Sequence, residues 1–278
     1  MKTKLFTILC MVSILVFHTS CNDSVMNFGS SSEKTQTRVV DQRVQDLIQQ
    51  ARQGDVEACN SLALCYRDGD GIGQSWLNMM CMYAIYSQKT GGDIEDIISL
   101  FEEGHPFRLL TEILDSPSFN EKVEAKLEQL KLLAPAEAKA IEAVKNAYTV
   151  EEAADAMKTI RDAEEEGSEL AAVFQIIYYD EVEDVTRLEN CLIRITEKYP
   201  YFNQLLGDLY AEQYEDSEDF SYIQKAIEYY YKADAYGMLT PKCANTLWRM
   251  HNNFGKEGLL AYDEQEMERI KILAKRIY

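Results

Sequence analysis

The chain is poor in proline, tryptophan and histidine, with 5, 2 and 3 among 278 residues. Scarce proline together with only 13 glycines excludes a collagenous or linker-dominated chain. Positive charge is also short: 28 Lys and Arg stand against 47 Asp and Glu, a formal −19. That balance disfavours binding nucleic acid by neutralising phosphates. Sustained period-2 patterning is missing, so no strand is expected. CxxC pairs are missing too, which removes the usual signature of a zinc site. What remains is ordinary globular composition, 46% hydrophobic and 27% charged.

The first residues read as an address. Lys2 and Lys4 precede the 13-residue apolar run Leu5–Phe17, too short for the roughly 20 residues that cross a bilayer. His18-Thr19-Ser20-Cys21 follows the run, and small residues before Cys21 resemble a bacterial lipoprotein signal. The resemblance implies a leader over 1–20 and lipid on Cys21; a secretory signal cut near Ser20 is the alternative. Cleavage would remove two lysines and no acid, moving the net charge from −19 to −21. Residues 21–36, rich in Ser and Asn, read as a flexible tether. Cys59, Cys65, Cys81, Cys191 and Cys243 follow, an odd number that suits small buried hydrophobes, although one oxidised pair stays open.

From residue 37 to 278 the chain reads as amphipathic helices. Val123, Leu127, Leu130 and Leu133 share one face of a helix after Asn120. Val150–Glu165 shows the same pattern, and Pro135 and Thr240-Pro241 mark helix starts. Gly54, Gly104, Gly167 and Gly237 each follow a helical stretch that is complete, as C-terminal caps do. Residues 263–278 read as a closing helix, with acids first and Lys275 and Arg276 last.

Two segments have a more specific spacing. Ala51, Gly54, Ala58, Leu62, Ala63, Tyr66, Gly69 and Gly71 fall at A-x2-G-x3-A-x3-L-A-x2-Y-x2-G-x-G, followed by a second helix with Tyr83. Later, Leu206, Gly207 and Tyr210 precede Lys225, Ala226, Tyr230, Lys232, Ala233 and Gly237. These spacings resemble Sel1-like repeats, relatives of the tetratricopeptide repeat, over 51–91 and 203–237. Asp234 stands where that family pairs a second alanine, and Gln175 stands at a leucine position in the weaker stretch from Gly167. The resemblance implies an all-α, right-handed α/α superhelical solenoid of helical hairpins, whose repeats bury apolar faces only by stacking.

Catalytic chemistry is thinly represented. His105 and His251 have no Ser, Cys or acid at a recognised catalytic spacing, so surface or capping roles are expected. Gly73-Gln74-Ser75 opens like a nucleophile elbow but lacks the closing glycine, and Ser75 reads instead as an N-cap. The loop Asp68–Gly73 fails the calcium pattern, with Ile72 and Met79 at ligand positions. Met79, Met80, Cys81 and Met82 cannot converge on one metal from one helix, because successive residues point different ways. The acid runs Glu164–Glu166 and Asp180–Asp184 read as solvated surface.

Tyrosine, at 17, is in excess. Repeat packing accounts for Tyr66, Tyr83, Tyr210 and Tyr230, whereas Tyr178, Tyr229 and Tyr231 are candidates to line a groove. The expectation is a non-catalytic protein- or peptide-binding scaffold of the bacterial cell envelope, at the outer membrane or in the periplasm. It would use no cofactor and bind no nucleic acid, would meet the membrane through lipid only, and would have a basic or neutral partner. The alternatives are a secreted Sel1-like enzyme or β-lactam-binding protein, or a glycan-binding accessory lipoprotein.

Overall fold

A computed structural model describes residues 40–92, 94–116, 119–145 and 150–275. The 1–20 leader, Cys21, the tether and the last three residues of the closing segment lie outside them. The described residues form fourteen α-helices, a single 3-10 turn and no strand, an all-α fold. In chain order they are α1 (Gln42–Arg52), α2 (Val56–Asp68), α3 (Trp76–Thr90), α4 (Ile94–Ile98) and α5 (Pro106–Leu114). Then come α6 (Glu121–Leu133), α7 (Pro135–Lys145), α8 (Val150–Glu165), α9 (Glu169–Glu181) and α10 (Val185–Ile195). After the 3-10 turn Pro200–Phe202 follow α11 (Asn203–Ser217), α12 (Phe220–Asp234), α13 (Pro241–Lys256) and α14 (Glu264–Leu273). Most helices pack on their neighbour in sequence, as short connections favour.

Local chemistry sets the boundaries. Asn120 caps α6 by accepting from the N–H groups of Lys122 and Val123, and Thr240 caps α13 by accepting from Cys243 N–H. Pro241 at the first helical position gives up only an amide that no helix uses. Ser75 caps α3 through Asn78 N–H. Gly69 and Gly91 end α2 and α3 in the left-handed conformation, at φ 68° and 74°. On α6 the expected face is buried at Val123, Leu127 and Leu130, but Leu133 is 50% exposed. Leu133 is the last residue before the break at Ala134-Pro135, and the helix ends there.

The described residues fall by their own contacts into two compact units. One lies within residues 93–191. Here α5 to α9 pack in sequence, and α7 also meets α9. Glu137 of α7 is buried and acts as a second cap for α9. Its carboxylate accepts from Ser168 Oγ at 2.6 Å and from the N–H groups of Glu169 at 2.7 Å and Leu170 at 2.9 Å. A carboxylate over a helix N-terminus satisfies orphan donors and opposes the positive end of the dipole. Gln175, the departure at a leucine position, is 1% exposed and donates to Glu164 Oε2 at 2.5 Å.

The other unit is assembled from both parts of the chain, 38–92 and 192–278. Both segments with repeat spacing therefore lie in it. Helix α13 reaches α3, and Asn78 of α3 donates to the carbonyl of Lys198 at 3.4 Å. Buried Met79, Met82, Ile85 and Tyr201 belong to this core.

Candidate functional site

The repeat-spaced residues are core. Ala58, Leu62, Tyr66, Leu206, Tyr210, Ala226, Tyr230 and Ala233 are all buried. Gly54, Gly69, Gly71 and Gly237 turn the chain at positive φ. At Gly71 a side chain would also collide with the Asp41 carboxylate. Gly207 works by size: a Cβ there would stand 2.6 Å from the Tyr230 ring. Tyr230 is fully buried, and its hydroxyl donates to Asp208 Oδ1 at 2.5 Å. Burial beside that carboxylate pushes the Tyr230 phenol well up.

The outer side of the same hairpin is a tyrosine face. Tyr210 stacks on Tyr229 with ring centres 5.5 Å apart and on Tyr222 at 6.2 Å. Lys225 Nζ lies 4.7 Å from the Tyr210 ring centre, and Lys232 Nζ lies 4.1 Å from that of Tyr229. Tyr222 and Tyr229 are partly exposed, while Tyr210 is the buried middle ring. Rings with apolar faces and hydroxyl rims, flanked by ammonium groups, suit amphipathic contact.

Tyr231 does not join this face. Two residues along a helix turn the side chain by about 200°. Its hydroxyl lies 3.3 Å from His251 Nε2. His251 Nδ1 is 3.2 Å from the carbonyl of Ala261, which can only accept, so Nδ1 carries the hydrogen. Nε2 then accepts from Tyr231. Burial lowers the His251 pKa and raises that of Tyr231 to about 12. Tyr178 is in the other unit, edge-on to Tyr179 at 5.6 Å. The three groove candidates thus do not form one row.

Next to Tyr231 is an ion cluster that sequence reasoning missed. Asp234, 1% exposed, takes Arg269 Nη2 at 2.8 Å and Arg52 Nη2 at 3.1 Å on Oδ2. Arg269 Nη1 also donates to Asp234 Oδ1 at 3.0 Å and to the carbonyl of Arg52 at 2.7 Å. Glu266 completes it at 2.6 Å from Arg269. The cluster ties α1, α12 and α14 together, with Arg52 lying 182 residues from Asp234 and 217 from Arg269. Its one signal in the sequence was Asp234 in place of an alanine.

The remaining candidates have structural partners. His105 caps α5, with Nδ1 accepting from Phe107 N–H at 3.2 Å and its ring 4.6 Å from Phe101. All five described cysteines are free and buried. Burial raises the Cys59 thiol to about 11 and the Cys243 thiol well above its usual range. Cys243 Sγ sits 3.7 Å from Asp208. Among the described residues no group of three or more His, Cys, Asp or Glu is placed to hold a metal ion. Nor is any described helix long and apolar enough to cross a membrane.

Fold and site together define an all-α protein of packed helical hairpins with a tyrosine face on one of them. Comparison with known proteins yields no match: no family, no curated protein and no solved structure is significantly similar to this chain.

Proposed function

We propose that the chain is a non-catalytic scaffold of the bacterial envelope that binds a protein or peptide, held to a membrane by lipid on Cys21. On this reading the hairpins at 51–91 and 203–237 are Sel1-like repeats of a right-handed α/α superhelix. The carrying observation is the Tyr222–Tyr210–Tyr229 stack with Lys225 and Lys232. Tyrosines held in place by stacking lose little entropy when they grip a partner. The formal charge of −19 favours a basic or neutral partner.

Two measurements test this. The intact mass of the N-terminal peptide from the native host reads acyl chains on Cys21 directly. Capture from envelope extract compares the natural chain with the Tyr222→Ala/Tyr229→Ala variant, at equal fold stability. A partner retained by the first and lost by the second supports the scaffold; equal capture by both removes the tyrosine face from it. The flat rings also suit the apolar face of a sugar, so a glycan-binding accessory lipoprotein is the second reading. Binding to a glycan array that depends on Tyr229 would select it.

A further inference from the structure

Helix α13 ends in an aromatic corner. The Phe254 ring stands edge-on to Tyr214 of α11, with ring centres 5.7 Å apart, and to Phe220 of α12 at 5.4 Å. All three rings are only partly covered. In the loop that follows, Leu259 and Tyr262 are 53% and 50% exposed. Tyr262 lies against Gly255, where a Cβ would come within 3.0 Å of its ring. Phe254 and its loop take no part in the Tyr222–Tyr210–Tyr229 stack.

Hydrogen bonds hold this loop in place. The N–H groups of Leu259 and Leu260 both donate to the carbonyl of Phe254, at 2.9 and 3.3 Å. His251 Nδ1–H donates to the carbonyl of Ala261 at 3.2 Å. The connection is thus fixed while its two large apolar side chains stay half in solvent. Contiguous exposed apolar surface marks contact sites, and surface ordered in advance loses little further entropy on binding. The rim is acidic. Glu215, Asp216 and Glu218, between Tyr214 and Phe220, are exposed and have no ion-pair partner among the described residues. Residues 211–224 contain no Lys, Arg or His. Across 252–268 the one base is Lys256, against Glu257, Asp263, Glu264, Glu266 and Glu268.

We infer that this corner is a docking surface for a basic amphipathic segment of a partner protein. The segment's apolar side chains cover Phe254, Leu259 and Tyr262, and its Lys or Arg side chains meet Glu215, Asp216 and Glu218. A second copy of this chain is a poor occupant, because it brings a formal −19 and the same acids. An anionic membrane surface is repelled for the same reason. The inference goes beyond the scaffold reading and does not rest on the tyrosine face, which can fail while this corner binds.

The probe is a dye-labelled Leu/Lys peptide with its leucines at helical spacing, titrated with the full chain and read by fluorescence anisotropy at near-physiological salt. Its Leu/Glu counterpart should bind about tenfold more weakly or worse. Leu259→Ser/Tyr262→Ser should weaken the Leu/Lys peptide roughly tenfold, as loss of central apolar contacts does. Glu215→Lys/Glu218→Lys should weaken it by a similar factor. Glu103→Lys/Glu165→Lys, the same change in net charge at exposed sites of the other unit, should weaken it much less. Tyr222→Ala/Tyr229→Ala should leave it unchanged, which distinguishes this corner from the tyrosine face. Urea midpoints matching that of the natural chain establish that the variants fold. Absence of binding would overturn the proposal, as would an affinity untouched by Leu259→Ser/Tyr262→Ser. Equal weakening by the two charge reversals would overturn it as well.

Discussion

Gly207 faces Tyr230 so closely that the smallest side chain would enter its ring. The ring has nowhere to retreat, being fully buried and held at its hydroxyl by Asp208. Gly207→Ala gains about 1 kcal/mol of helix propensity but overpacks a core contact, at about 1–3 kcal/mol. The expected net result is destabilisation, read as a lower urea midpoint. In a Tyr230→Leu background, which makes room, the same change should become neutral or stabilising.

Asp234 is the one departure from the alanine pair of the repeat spacing, and it anchors Arg52 and Arg269. Replacing it with alanine alone takes from Arg52 and Arg269 the carboxylate they share, and leaves the largely buried Arg269 with Glu266. Loss of one member of such a cluster costs about 3–5 kcal/mol. Asp234→Ala combined with Arg269→Leu should recover part of that loss, since both members of the most buried pair are then removed together. Chemical denaturation of the single and double variants gives the coupling. Additive losses would mean that the two side chains do not depend on each other.

Acid should loosen the protein before its carboxylates titrate. Burial holds the pKa of both His105 and His251 below the ordinary 6.5. Glu266 opposes the shift at His251, and Glu102 opposes it at His105. The unfolded chain therefore takes these protons at higher pH than the folded one. Their contribution to stability is complete above about 6.5 and is lost as pH falls through that value toward the folded-state pKa. Urea midpoints measured between pH 7.5 and 5 should decline, and His251→Asn should flatten the decline while keeping a donor for Ala261. Glu266 has a pKa lowered chiefly by its bond to Arg269, so its stabilisation is complete above the ordinary carboxylate value and is lost as pH falls through that value toward the folded-state pKa.

Helix ends were the most legible part of the sequence because caps are local. Asn120, Ser75 and Thr240 each accept from an amide two or three residues ahead, so a short window contains the whole interaction. Leu133 failed that reading because periodicity does not see where the partner surface ends. Glu137, Gln175 and Asp234 look like ordinary surface residues until a distant helix supplies their partners. Asp234 and Arg52 are 182 positions apart, beyond any pattern along one helix. The groove tyrosines divided because Tyr229 and Tyr231 leave α12 in different directions, as helical geometry requires.

Site-specific photocrosslinking in the native envelope tests the central claim most directly. A crosslinkable residue at position 229 lies on the tyrosine face, whereas one at exposed Gln224 points elsewhere on α12. A binding scaffold predicts a discrete crosslinked partner from 229, none from 224, and loss of the 229 product when Tyr222 is replaced by alanine. Equal crosslinking from both positions, or none from 229 in the folded chain, would contradict it.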